Sequence, residues 1–366
     1  MAWESEYPQL SAWLRERSLA DAESDHTRPY ALNAPAPFAE WARQAEAIAD
    51  IGPLPPGRQP NAPHKLSVDV PGRKWTQIQA FARHAVFEQP VSHWIDWCAG
   101  KGHLGRLLAQ SGAGFTALEY DAALVDAGKA LSARHQLHGA HHVHQDVLAA
   151  DCDRHLGATT TPVALHACGD LHVALIQKAC TAGAQSLAIA PCCYNRTASV
   201  TYVSLSEVAK RSLLRLDRKD LGLPLMETVT AGQRVRLQRD ESMARRLAFD
   251  LLQRQIRGND EYLPTPPLDA SWLKKPLPEF CIHLAQRNGL AVPDSVDWEE
   301  LHHAGRRRLA EVRNLELVRG LFRRPLEIWL LLDRAMRLRE AGYRVKLGTF
   351  CEASVTPRNL MVLANR

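Results

Sequence analysis

The sequence predicts an α/β fold, a Rossmann-like and mostly parallel sheet with helices on both faces. Three observations carry this. From Val91 onward, short apolar β-prone runs alternate with amphipathic helical segments. A glycine-rich turn separates the first such strand from the first helix. An acid, Glu119, closes the second strand.

Each element follows from local pattern. Residues 1–50 are Ala-rich and read as helical, with Trp13, Trp41 and Ile48 among the apolar positions. Residues 52–73 carry Pro53, Pro55, Pro56, Pro60, Pro63 and Pro71, with Gly52, Gly57 and Gly72, and read as a linker or extended strap. Trp75, Ile78, Phe81 and Ala85 recur at helical period over 74–88. Strands are expected at 91–97, 114–119, 142–148, 162–166 and 185–190. Helices are expected at 102–110, 122–136 and 171–182. After Cys193 this rhythm stops, and 200–325 is mainly helical and rich in arginine. An amphipathic helix at 327–341 precedes strands at 343–351 and 359–364. Strands so close in sequence pair antiparallel, as a hairpin on the sheet edge. The expected organisation is a helical extension and Pro-rich linker over 1–73 and a core over 74–199. A basic, mainly helical insertion follows over 200–325, and a helix and hairpin over 326–366 complete the core.

Composition excludes several classes. The 366 residues are 46% hydrophobic and 23% charged, which rules out global disorder. No apolar run reaches the roughly 18 residues of a membrane span. The first residues lack a basic region followed by an apolar one, so a cytoplasmic location is expected. The eight cysteines contain no C-x-x-C pair and are expected as free thiols. A net charge of +5 does not by itself imply nucleic acid, and the oligomeric state is not readable.

The strongest motif is the run from Asp96 through Trp97, Cys98, Ala99, Gly100, Lys101, Gly102, His103 and Leu104 to Gly105. Glycines after a strand permit a tight turn and close approach of a ligand. An acid ending the next strand can accept both ribose hydroxyl protons. That pattern points to an adenosine-type cofactor. Asp96 separates two candidates: a carboxylate there would repel a pyrophosphate but favour the ammonium of a methionine moiety. The expected cofactor is therefore S-adenosyl-L-methionine (SAM). Its candidate contacts are Asp96, Cys98, Ala99, Gly100, Lys101, Gly102, Glu119 and His166, with Asp146 and Val147 beside adenine.

These segments resemble motif I of class I SAM-dependent methyltransferases, with Cys98 in place of the first glycine. The run Trp97–Leu104, the run His166-Ala167-Cys168-Gly169-Asp170-Leu171 and the run Cys192-Cys193-Tyr194 resemble one subgroup more narrowly. It includes eukaryotic methyltransferase-like proteins, the glutathione S-transferase C-terminal-domain-containing protein and, more distantly, tRNA 2′-O-ribose methyltransferases. The run Thr356-Pro357-Arg358-Asn359-Leu360 is similar as well. The resemblance covers about 74–195 and 325–366. It implies a class I methyltransferase sheet, SAM as cofactor and methyl transfer as activity.

The ends of strands four and five face the cofactor in such a fold. His166, Cys168, Asp170, Cys192 and Tyr194 are therefore the candidate catalytic residues. Three readings stay open: tightly packed small thiols, general-base and positioning chemistry by His166 and Asp170 with Tyr194 shaping the pocket, and a cysteine nucleophile. Zinc on His166, Cys168, Cys192 and Cys193 has suitable ligand types. Adjacent cysteines on a strand point to opposite faces, however, and no metal is expected.

Residues 196–344 hold 27 Lys and Arg against 20 Asp and Glu, a net of +7. Arg306, Arg307, Arg308, Arg313, Arg323 and Arg324 could follow a phosphate backbone, so structured RNA is the expected partner. The competing reading is a solvated helix face with pairs such as Arg307–Glu311. Five histidines, His135, His138, His141, His142 and His144, read as an exposed connection. The functional expectation is methylation of tRNA or rRNA. The alternatives are a protein or small-molecule methyltransferase and a non-catalytic SAM- or RNA-binding module.

Overall fold

A computed structural model of the chain describes residues 2–55, 57–226 and 232–366; Met1, Pro56 of the proline-rich strap and 227–231 of the insertion lie outside the described residues. In chain order, helices α1 (Pro8–Arg15), α2 (Leu19–His26), α3 (Phe38–Ala49) and α4 (Gly72–His84) come first. They are followed by β1 (His93–Trp97), α5 (His103–Leu108), β2 (Gly114–Glu119), α6 (Ala122–Arg134) and β3 (Ala140–His144). Then come β4 (Thr160–Leu165), α7 (Asp170–Thr181), β5 (Ser186–Ala190), α8 (Glu207–Lys210) and α9 (Gln233–Arg257). The last elements are α10 (Leu277–Arg287), α11 (Trp298–Gly320), α12 (Arg323–Glu340), β6 (Arg344–Thr349) and β7 (Leu360–Asn365).

The chain forms two compact units, 48–230 with 323–366 and 1–47 with 231–322. The first contains a seven-stranded sheet in the order β3-β2-β1-β4-β5-β7-β6. Strands β1 to β5 run parallel, and β7 is antiparallel to both β5 and β6. This is the expected α/β sheet, mostly parallel with helices on both faces and closed by the C-terminal hairpin. Period-two alternation assigns its side chains. Leu360, Val362 and Ala364 of β7 pack on one face with Leu175 and Ile176 of α7 and Leu331 and Leu338 of α12. Met361 and Leu363 lie on the other face with Ile78 and Phe81 of α4 and Leu104 and Leu107 of α5. A buried parallel sheet needs both faces covered, which explains its near-continuous apolar strands. Full burial of side chains such as Phe81 and Phe115 stabilises the fold by about 1.5–3 kcal/mol each.

The proline-rich strap makes one ladder contact. Leu54 N–H donates to Thr349 O at 2.9 Å, and Thr349 N–H to Gly52 O at 3.0 Å. Pro53 bridges the β6 edge but has no N–H to extend the pairing. Strand β3 begins and ends earlier than the expected 142–148. Gln145 N–H makes a last link to Glu119 O at 2.8 Å. The Asp146 carboxylate then accepts from Leu148 N–H at 2.9 Å, an Asx turn that ends the strand. The histidine run is not simply an exposed connection. His141, His142 and His144 lie in β3, and the His142 ring is half-buried, with its Nε2 2.8 Å from Ser132 Oγ.

Residues 201–226 belong to the sheet unit, where Leu221 and Leu223 pack with Tyr194, Leu326 and Leu330. In the second unit, Leu10 and Leu14 of α1 and Phe38 of α3 bury against Leu315, Val318 and Leu321. Phe249 and Leu252 of α9 pack with Phe280 and Leu284 of α10 and Leu301 of α11. A Cβ at Gly305 would lie 2.6 Å from Ala244 O, so glycine permits the close α9–α11 approach. The Asn314 side chain is fully buried and donates to Arg17 O at 3.2 Å and Ser18 O at 2.9 Å. It thereby ties the α1–α2 turn to α11. Residues 1–47 thus share a core with the helices of 231–322. No helix among the described residues is long and apolar enough to cross a membrane.

Candidate active site

Strand β1 delivers the chain into a loop in which Cys98, Gly100 and Gly102 all take positive φ, at 55°, 57° and 73°. For Cys98 this conformation is strained; glycine adopts it freely. The space above Gly100 is open, since an added Cβ would meet nothing within 4 Å. Below the loop, a Cβ on Gly102 would lie 2.7 Å from His142 Cε1. Glycine is therefore required at 102 by both backbone and packing. Behind the loop, the buried Arg106 donates to Lys101 O at 2.6 Å, and its Nη2 lies 2.9 Å from His103 Nδ1.

The two acids near this loop do different things. Glu119 Oε2 accepts from Gly100 N–H at 2.8 Å, and its Oε1 accepts from Asp121 N–H at 3.0 Å. Its carboxylate therefore stands at the loop, at the side where a ribose would lie. Asp96 does not face outward as its expected ammonium contact required. It is 3% exposed and its Oδ2 accepts from Gly105 N–H at 2.9 Å. Burial raises its carboxyl to about 6. Its role in this structure is to tie the start of α5 to β1. These residues fit the adenosine end of SAM: an acceptor carboxylate, an open glycine turn and a strand-to-helix junction. Asp146 is exposed just beyond β3 and Val147 is buried beside it.

The second half of the edge is built by β4 and β5. His166 directly follows β4 and takes φ 68°, again strained for a residue with a Cβ. Gln77 Nε2 donates to Val355 O at 3.2 Å, which turns Gln77 Oε1 toward His166 Nε2 at 2.6 Å. The His166 Nε2 therefore carries the proton and Nδ1 is the acceptor. Burial, then the Arg358 guanidinium, lower the His166 pKa and so favour the neutral ring. Nothing in the helical repeat of α4 marks Gln77 as a polar residue that reaches another element.

Three expected catalytic roles change. The Asp170 Oδ2 accepts from Ala198 N–H at 2.8 Å, which anchors the following loop. Tyr194 does not shape an open pocket. It is 2% exposed, and its buried hydroxyl makes no hydrogen bond among the described residues. Cys192 is buried and lies 3.4 Å, sulfur to sulfur, from the half-buried Cys168. Contact with its neighbouring thiols, then burial, pushes the Cys192 thiol up, which disfavours it as a nucleophile. The strand argument against convergence of Cys192 and Cys193 also fails, because β5 ends at Ala190. The sulfurs of Cys168, Cys192 and Cys193 all lie within 4.8 Å of one another.

A buried polar network supports these loops from below. Arg334 donates to His172 Nε2 at 3.1 Å, Tyr202 Oη at 2.7 Å and Leu330 O at 2.8 Å. His172 Nδ1 lies 3.1 Å from Ala167 O, so Nδ1 carries the proton and Nε2 accepts. Asp333 accepts from Tyr202 Oη, from Leu205 N–H at 2.9 Å and from Ser206 N–H at 2.8 Å. The Arg334 guanidinium lies 5.0 Å from the Tyr194 ring centre. The one signal in the sequence is the charged Asp333-Arg334 pair between the apolar stretch 328–332 and Ala335-Met336.

Acid sensitivity follows from these buried rings. Burial, then Arg106, lowers His103 to about 3; burial, then Arg106, lowers His142 to about 4; burial, then Arg334, lowers His172 to about 3. In the unfolded chain each titrates near pH 6.5 (about its ordinary value). The unfolded chain therefore binds more protons between pH 6.5 and about 4, and stability falls as pH is lowered through that window. Asp96 acts oppositely: its raised carboxyl favours folding below its ordinary pKa of 3.8, and that contribution is lost as pH rises through about 6. Three groups outweigh one. Urea midpoints should fall from pH 7 to pH 5; a flat profile would contradict this assignment.

The arginine run does not form a free cationic track. Arg306 pairs with Glu241 at 2.7 Å, Arg307 with Glu300 at 2.5 Å and Arg308 with Glu311 at 2.9 Å. Arg313 pairs with Asp240 at 2.6 Å, and Arg324 with Glu327 at 2.7 Å. Arg323 is 6% exposed. The expected Arg307–Glu311 pair is replaced by Arg307–Glu300. Unpaired cations instead lie at the sheet edge. Lys74, Lys101 and Arg196 are exposed, and none forms an ion pair among the described residues.

Residues 73–200 match the family model described as a methyltransferase domain. No curated protein matches the chain. Among solved structures, the chain is similar to magnesium protoporphyrin IX methyltransferase from Synechocystis PCC 6803, which was crystallised with bound SAH. That match has 16% identity, 46% coverage of this chain and 65% of the other, and a TM-score of 0.24. Coclaurine N-methyltransferase, bound to N-methylheliamine and SAH, matches at 11% identity, with 52% and 63% coverage and a TM-score of 0.28. The METTL16 methyltransferase domain matches at 14% identity, with 51% and 78% coverage and a TM-score of 0.25. The matched stretch spans less than two thirds of the first two proteins, and at these scores the likeness assigns no residue of the site.

Proposed function

We propose that the protein is a SAM-dependent methyltransferase that acts on RNA. One observation carries the catalytic part. Strained Cys98 and His166 close adjacent strands β1 and β4, where the sheet order reverses, and Glu119 stands at the same edge. Ligands of open α/β sheets bind outside the strand ends at such a switch point. Non-glycine residues in left-handed conformation persist where surrounding structure enforces them, often at functional sites. Bound there, SAM supplies an activated methyl group. The chain's own part is to seat the adenosine on Glu119 and the glycine loop. His166, oriented by Gln77, offers Nδ1 as a proton acceptor to the incoming nucleophile.

What supports an RNA acceptor is the edge itself, where exposed Lys101 lies in the glycine loop, exposed Lys74 lies near it on α4 and Arg196 follows the cysteine pair. A polyanion would be drawn to that rim by counterion release. Tritiated methyl transfer from labelled SAM into extract tests the reading. Label lost to RNase and kept after protease is the expected result. Label that survives RNase and is lost to protease would replace RNA with a protein acceptor. The Lys74→Glu/Arg196→Glu double variant is expected to bind RNA about tenfold more weakly, with a shallower salt dependence. Unchanged RNA binding in that variant would remove the rim from the account.

A further inference from the structure

We propose that Cys168, Cys192 and Cys193 form a zinc site, three thiolates with the fourth position left to a solvent or substrate donor. The geometry is the first support. The Cys168 and Cys192 sulfurs are 3.4 Å apart, and all three sulfurs lie within 4.8 Å of one another. Around tetrahedral zinc, with Zn–S near 2.3 Å, sulfurs sit about 3.8 Å apart. The Cys168–Cys192 spacing lies just below that value and no pair of the three sulfurs is more than 4.8 Å apart, so an ion enters with only small side-chain movements.

The second support is that the two cysteine-bearing loops are already fastened to each other. Asp170 N–H donates to Arg196 O at 3.0 Å, and Arg196 N–H donates to Cys193 O at 3.0 Å. Gly169 packs so tightly on this loop that a Cβ there would lie 1.8 Å from Arg196 O. The ligand loops are thus held before any metal arrives, which lowers the ordering cost of binding.

The third support is the donor set. Thiolates select zinc, copper(I) or iron–sulfur centres, and three protein ligands with one open position is a zinc arrangement. No other group of three His, Cys, Asp or Glu donors converges this closely among the described residues. Plain thiol packing does not require three sulfurs to converge, and a disulfide would use two of them and strand the third. Ligation deprotonates each thiol and releases its proton to solvent.

The test uses the full chain, purified under reducing conditions and stripped of metal. Zinc titration against a chromophoric chelator should give about one ion per chain. Cobalt(II) substitution should produce a thiolate-to-cobalt charge-transfer band in the near ultraviolet, which histidine ligands do not give. Cys168→Ser or Cys192→Ser should weaken zinc binding at least about tenfold, while Cys351→Ser and the histidine-run variant His141→Ala should leave it unchanged. Absence of the cobalt band in the wild-type chain overturns the site, whatever the folding of the serine variants. So does full zinc affinity in both serine variants, or a Cys168–Cys192 disulfide found by mass analysis without reductant. The site does not rest on the methyltransferase reading: a failed zinc titration alongside intact SAM binding overturns only the zinc site.

Discussion

Replacing Arg334 with methionine should destabilise the sheet unit by about 3–5 kcal/mol, because it breaks a buried charged network from one side. Arg334 is 2% exposed and satisfies His172, Tyr202 and the Leu330 carbonyl at once. Methionine fills much of the same space, so the loss is mainly polar. It leaves His172 Nε2 a buried acceptor without a donor, and it removes the guanidinium that donates to Tyr202 Oη. A second effect is expected at the site. His172 holds the Ala167 carbonyl and stacks edge-on against Tyr194 at 5.8 Å, so the loops carrying His166 and Cys192 should loosen. Urea unfolding followed by circular dichroism reads the first effect. A change below about 1 kcal/mol would mean that the network is not part of the fold's support.

Glu119→Ala should weaken SAM binding roughly 10- to 100-fold, the loss of one charged acceptor worth about 1.5–3 kcal/mol. Two contributions combine. The carboxylate is the ribose acceptor in the proposed complex, and it also holds Gly100 N–H at 2.8 Å. Glu119→Gln separates them, because the amide oxygen can still accept from Gly100 while the negative charge is gone. An intermediate loss for Gln is expected. Identical losses for Gln and Ala would place the whole effect in the charge, and unchanged binding in both would remove Glu119 from the site.

The sheet was legible in the sequence because its signals are local. The β pattern at 114–119 has the same bounds as β2, and the closeness of two strands in sequence implies the C-terminal hairpin. The glycine loop was legible for the same reason, since φ preferences act residue by residue. Contacts that cross the fold were not legible. Gln77 reaches His166 across 89 residues, and Arg334 reaches His172 across 162. Of the two readings of the arginine run, the structure shows paired side chains, with partners remote in sequence. Arg306 and Arg313 look like phosphate ligands in a linear run, yet Glu241 and Asp240 neutralise them from another helix. The position of Asp96 in the motif suggests a ligand contact but carries no information about burial. In the structure it serves the backbone of α5.

Calorimetric titration of the full chain with SAM tests the central claim most directly, because the methyl-transfer role given to this edge depends on adenosine being seated against Glu119 and the glycine loop. Saturable binding at one SAM per chain is expected, weakened at least about tenfold by Glu119→Ala. A folded chain that takes up no SAM at millimolar concentration, or one that binds it equally well without the Glu119 carboxylate, would contradict the account.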